Sequence, residues 1–252
     1  MVITKYGAYV NDVPRHGLGI VFLIFGIDKF LIHEFYVSWF TATERVRMIL
    51  PLQDISSSIY LIGIIELVLA ALLFAGVGIR WTSIAVSAWM IAILSTAQYP
   101  SSFPQDIGLL GVSVTLVLTG VAWKNAYTEK FLGYLRIMRY PISAVLLIWA
   151  IDHIVNYARH LGWIELASRI GQGLSANDIL SFITFLAIIE IVLAGTIAVG
   201  RLSITKYSLI AATIFFIFAK VALAPPLNNH QSIGLAFATA WLAYIAYREG
   251  RV

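Results

Sequence analysis

Eight apolar stretches dominate the chain, near residues 15–33, 55–77, 82–99, 107–123, 140–158, 178–199, 206–224 and 231–247. Each is about 17–23 residues long, enough to cross ~30 Å of hydrocarbon at ~1.5 Å per helical residue. The runs are continuous rather than alternating, which favours helices over a barrel. Composition agrees: 60% of the 252 residues are hydrophobic and only 12% charged, where a soluble domain carries roughly 25% charged residues. The sequence therefore predicts an all-α integral membrane protein with eight transmembrane helices, its main partner the lipid bilayer. The first stretch does not read as a cleavable signal peptide, because Asp28-Lys29 interrupts it and no small-residue cleavage site follows.

Charge sets the expected orientation. Lys5, Arg15, Arg80, Lys124, Lys130, Arg136, Arg139, Arg201, Lys206, Arg248 and Arg251 fall on one side of the eight spans; Lys29, Arg45, Arg47, Arg159, Arg169 and Lys220 fall on the other. The richer side is expected to be cytoplasmic, which puts both termini on the cytoplasmic side of the cell membrane. The net charge of +4 suits this distribution and is no sign of a nucleic-acid partner. Two segments read as amphipathic helices on the membrane surface, Lys124–Arg139 inside and Phe35–Met48 outside. With no cysteine in the chain, disulfides, thiolate metal sites and iron–sulfur clusters are excluded.

The chain repeats itself at an offset of 124 residues. Arg15 aligns with Arg139, Asp28 with Asp152, Trp39 with Trp163, Arg45 with Arg169, Asp54 with Asp178, Glu66 with Glu190 and Gly76 with Gly200. The strings IFGIDKF and IWAIDHI correspond, as do IIELVLA and IIEIVLA. The fourth span of each half matches with a further shift of two, Gln105-Asp106-Ile107-Gly108-Leu109 against Gln231-Ser232-Ile233-Gly234-Leu235, after loops that each hold two prolines (Pro100 and Pro104; Pro225 and Pro226). An ungapped register over two helices and their loop points to tandem duplication. Four spans per half is an even number, so the halves, 1–124 and 125–252, are expected to be parallel-repeat four-helix bundles.

Ionisable groups inside a bilayer are costly and mark function by default. Glu66 and Glu190 lie about halfway down the second span of each half and are the first candidates for a proton-accepting or ligand-binding role. The plainer reading is interhelical hydrogen-bond glue. Asp28 and Asp152, in the outer third of each first span, would join them in a cavity or else anchor the interface. Adjacent helical residues point about 100° apart, so Lys29 is expected to snorkel outward. His153 replaces Lys29 in the second half and could titrate. As a metal ligand it reads as weak, with no second histidine expected at helical spacing, and no metal site is assigned. Arg15 and Arg139 read as positive-inside anchors, or as partners for a carboxylate or an anionic headgroup. Gln98, Lys220 and His230 sit toward the outer ends and could complete a polar pocket. An aromatic belt accounts for Trp81, Trp89, Trp123, Trp149 and Trp241.

These residues resemble the DoxX-like family, which includes a membrane subunit of thiosulfate:quinone oxidoreductase. The resemblance rests on Arg15 and Gly26-Ile27-Asp28-Lys29 in the first helix, and on Glu66, Ala70, Ala71, Leu73, Gly76 and Arg80 in and after the second. The second half keeps Arg139 and Glu190 but has Ala150 and His153 in place of Gly26 and Lys29. The resemblance implies a quinone-associated subunit of a membrane redox complex, acting with other membrane or peripheral redox subunits. Glu66, Glu190, Asp28 and Asp152 would then handle protons, and Arg15, Lys29, Arg139, His153 and Gln98 would contact the quinone. Without cysteine or an evident metal site, electrons would pass through the quinone or a partner. Two other functions fit the residues: a non-catalytic structural subunit, and a proton-coupled small-molecule carrier.

Overall fold

The computed structural model describes residues 13–43, 46, 54–96, 103–120, 129–167, 173–200, 202–222 and 230–249. Among them every regular element is helical: α1 (Val13–Leu31), α2 (His33–Ala42), α3 (Ile55–Ala75), α4 (Ile79–Thr96), α5 (Phe103–Gly120), α6 (Glu129–Val155), α7 (Tyr157–Ala167), α8 (Ala176–Val199), α9 (Leu202–Ala222) and α10 (Gln231–Glu249).

Local chemistry explains the ends of the two longest apolar helices. α3 starts at Asp54, whose carboxylate accepts from the Ser57 amide at 3.0 Å, and stops at Gly76 in the left-handed conformation (φ 67°). α8 starts with a reciprocal capping box between Ser175 and Asp178 and stops at Gly200, also left-handed (φ 70°). A side chain at either glycine would strain the backbone, which is why the chain turns there.

Among the described residues five helices are long and apolar enough to cross a membrane: α3, α4, the Ile137–Val155 part of α6, α8, and the Ile204–Ala222 part of α9. α5 supplies a shorter apolar stretch, Pro104–Leu118. Helices form at all eight expected places, but α1 carries Arg15, Asp28 and Lys29 within 19 residues and α10 ends in Arg248-Glu249. By length and composition alone, these two are less apolar than a membrane span.

The inner surface segment is not a separate element where it is described. Residues from Glu129 run on through Pro141 into one helix of 27 residues, with residues 124–128 outside the described region. The proline ring seats against Gly111 of α5, which has no Cβ to obstruct it. The outer segment forms α2 as far as Ala42; Arg45, Arg47 and Met48 lie outside the described residues.

α1 packs on α3, α3 on α4 and α4 on α5; likewise α6 packs on α8, α8 on α9 and α9 on α10. The two series are joined by α5 against α6 and by α10 against α1. One buried apolar cluster runs through the joint, including Leu18, Phe22, Leu109, Leu146, Phe216 and Leu235. Small residues let these central helices approach closely. A Cβ on Gly17 would fall 2.5 Å from Phe237 Cβ, and one on Gly108 would meet Val145 and Leu235. The opposite faces of α3, α8 and α9 expose Leu61, Val68, Phe185, Val192 and Ile214, as lipid-facing surfaces require.

Candidate functional site

Glu66 and Glu190 turn away from those lipid faces. Each sits deep in its helix, ~16 Å along α3 and ~21 Å along α8 from the first residue, and each meets a basic group on the helix packed against it.

In the first half Lys29 Nζ lies 2.5 Å from Glu66 Oε2. The expectation that Lys29 snorkels outward is corrected: the residue is 5% exposed and the ammonium points inward. It lies 4.8 Å from the centre of the Tyr36 ring and donates to the Phe25 carbonyl at 3.3 Å. The Trp89 indole donates to the other carboxylate oxygen, Oε1, at 3.4 Å. Trp89 is thus a partner of the acid rather than only a belt residue. Both oxygens of Glu66 are engaged, and a full opposite charge compensates the buried carboxylate. Burial, with Asp28 and Glu66 adding to it, pushes the Tyr36 hydroxyl well above its ordinary range, so it stays neutral.

In the second half the basic partner is an imidazole. His153 Nδ1 lies 2.8 Å from Glu190 Oε2. Glu190 is 0% exposed, and its Oε1 is buried without a hydrogen-bond partner. An unpaired buried acceptor costs about 1–3 kcal/mol. Glu66 has no such vacancy.

Asp28 and Asp152 do not share these pairs. Asp28 reaches across to the second half, where His230 Nε2 lies 2.9 Å from its Oδ2. His230 Nδ1 is in turn 2.9 Å from Lys220 Nζ. Lys220, His230 and Asp28 thus form one polar group; Gln98 lies outside the described residues. Nearby, Gln231 donates to Asp106 at 3.3 Å, another link between the halves.

Asp152 is held within its own half, accepting from Asn156 Nδ2 (2.6 Å), Arg159 (2.6 Å) and His160 Nε2 (2.7 Å). The expectation that His153 has no neighbouring histidine is also corrected. His160 follows seven residues later, two helical turns on, and the ring centres are 4.5 Å apart in an edge-to-face arrangement. Burial and the proximity of His153 push His160 below the ordinary imidazole range, against the pull of Asp152. No group of three or more His, Cys, Asp or Glu side chains suited to a metal ion occurs among the described residues.

Arg15 is buried rather than sitting at the surface. It donates to the carbonyls of Leu73 and Phe74 at the end of α3, where orphan carbonyls and the helix dipole favour a cation. Arg139 lies beside Gly200 at the end of α8 and donates to the Tyr140 hydroxyl at 2.9 Å.

Sequence reasoning did not single out His160, Asn156, Arg159 or Tyr36. A seven-residue search from His153 finds His160, and the 124-residue offset then pairs His160 with Tyr36.

No curated protein and no solved structure matches the chain. The DoxX family model matches residues 12–98, roughly a third of the chain, spanning α1 to α4 and the Lys29–Glu66 pair. Over residues 12–98, the stretch that carries α1 to α4, the chain is similar to the DoxX family.

Proposed function

We propose that the protein is a quinone-binding subunit of a membrane redox complex, with the Glu190–His153 pair as its ligand site. The observation that carries this reading is the free Oε1 of a fully buried Glu190, next to an Oε2 fixed by an imidazole. A quinone, when bound, supplies the two-electron chemistry, and a partner subunit takes or gives the electrons. This chain's residues do the rest: Glu190 Oε1 accepts a hydrogen bond from the ligand hydroxyl, and the acid–imidazole pair holds the proton that accompanies electron transfer. An apolar cleft with one or two converging polar groups is the usual form of such a site.

A second reading is favoured by a different observation. Lys29, Glu66 and Trp89 satisfy one another, which suits a structural clasp in the first half. The two halves then divide the work, one pair holding the fold and the other binding ligand.

In this account the chain crosses the membrane eight times with both termini cytoplasmic. Residues 1–124 and 125–252 are two parallel copies of one four-helix unit. Support comes from positions 124 apart having like surroundings: Arg15 and Arg139 beside left-handed Gly76 and Gly200, and a basic group against each glutamate. The charges of α1 are then sheltered by α3 and α10, which is how a helix of modest hydropathy is accommodated in a bundle.

The test is gentle purification followed by solvent extraction. The expected result is bound quinone in the extract, and a rise in melting temperature when quinone is returned to the stripped protein. Absence of both contradicts the reading.

A further inference from the structure

We infer that Glu190, His153, His160 and Asp152 form a proton path joining a sealed carboxyl group in the bundle to water at α7. The path deepens the reading of Glu190 as a proton-holding group and rests on it.

Three of the four contacts join named atoms, and the His153–His160 step is a ring-to-ring approach. Glu190 Oε2 faces His153 Nδ1 at 2.8 Å. The His153 and His160 rings meet edge to face, centres 4.5 Å apart. His160 Nε2 faces Asp152 Oδ2 at 2.7 Å. The same Oδ2 meets the Arg159 guanidinium at 2.6 Å, and the Arg159 side chain is 42% exposed. Side-chain exposure is 0% at Glu190, 14% at His153, 12% at His160 and 4% at Asp152, and the path reaches water where Asp152 meets the 42% exposed Arg159.

A proton leaving Glu190 Oε2 bonds to His153 Nδ1. The imidazolium then releases its Nε2 proton to His160 Nδ1, directly or through one water. His160 passes its Nε2 proton to Asp152, which yields it to water, and each imidazole ends with one proton, as it began. The charged and titratable groups around the path are Asp152 and His153 on α6, Tyr157, Arg159 and His160 on α7, and Glu190 on α8. His160 is held below the ordinary imidazole range, so it is neutral and able to accept.

The first half has the same corner without the same chemistry. At the 124-residue offset, Lys29 stands for His153 and Tyr36 for His160. An ammonium over a phenol ring packs the α1–α2 corner well but cannot accept at one atom while releasing at another. The corner does not need imidazoles to form, so packing does not account for both of them in the second half.

The experiment is a pH jump on the purified full-length protein, following the Glu190 carboxyl band by infrared spectroscopy and assigning it by its loss in Glu190→Gln. His160→Gln keeps a donor toward Asp152 but carries no relayed proton. Its Glu190 exchange should slow by about 10²-fold. Asp152→Asn should slow it similarly, Tyr36→Phe should leave it unchanged, and added imidazole should restore it in His160→Ala. An unchanged rate in His160→Gln overturns the path. In the unmodified protein the exchange should also slow in D2O, and indifference to D2O overturns the path without any variant. The ligand reading fails separately: a working path in a protein that binds no quinone sinks that reading alone. Quinone binding with an exchange rate blind to His160 sinks the path alone.

Discussion

His153 and Glu190 meet at 2.8 Å through Nδ1 and Oε2, one turn short of the corner where α6 gives way to α7. The contact leaves the second carboxylate oxygen buried and unbonded. Its first-half counterpart, Lys29 with Glu66, leaves no such atom. The two pairs occupy like places in the bundle and are expected to respond differently to substitution.

Removing one member of the first pair strands the other. Glu66→Gln or Lys29→Met should lower stability by about 3–5 kcal/mol, the usual cost of breaking a buried ion pair. The double variant Lys29→Met/Glu66→Leu should recover most of that loss, because no charge is left unpaired. Thermal unfolding in detergent checks both. A double variant no better than the singles contradicts the assignment of Lys29–Glu66 as a clasp.

The capping carboxylate of α3 gives a pH dependence of known sign. Hydrogen bonds from Ser57 hold Asp54, just ahead of α3, below its ordinary value of 3.8. A depressed folded-state value means that the stabilisation is present above 3.8 and is lost as pH falls through the lowered value. First-turn amides of α3 should lose hydrogen-exchange protection in that acid range but keep it at neutral pH. Asp54→Ala should lack the protection at both. Protection in the parent protein that is indifferent to acid contradicts the cap.

Much of this was legible beforehand, for physical reasons. Asp54, Ser175 and Asp178 act on residues three positions away, and Gly76 and Gly200 act on their own backbone, so short-range chemistry suffices. The depth of Glu66 and Glu190 follows from helix rise alone. Lys29 was misread because adjacency says only that Asp28 and Lys29 face different ways, not which faces inward. The Asp28–His230 contact spans 202 positions and depends on how α10 docks against α1. The seven-residue spacing of His153 and His160 is present in the sequence, but how their rings meet depends on the break at Asn156 between α6 and α7, which spacing does not give.

The docking of α1 against α10 is expected to be sensitive to volume. Gly17→Leu would drive atoms into Phe237, and overpacking of this kind costs about 1–3 kcal/mol. Adding Phe237→Ala should relieve part of it. Melting temperatures of the three variants measure the coupling. Strictly additive effects would mean that the two residues do not meet.

The left-handed glycines should be intolerant of any side chain. Gly76→Ala and Gly200→Ala each place a Cβ in an unfavourable conformation costing about 1–2 kcal/mol, and each crowds the neighbouring Arg15 or Arg139 guanidinium. Both should melt lower than the parent protein. A stabilised alanine variant would contradict the observed helix ends.

The most direct test of the ligand site is labelling with a photoreactive quinone analogue, followed by peptide mapping of the modified residues. Labels should concentrate on α6 and α8 around His153 and Glu190, fall sharply in Glu190→Gln, and persist in a stably folded Lys29→Met/Glu66→Leu variant. Labels spread over the lipid-facing side chains, or unchanged when Glu190 is replaced, would contradict the account.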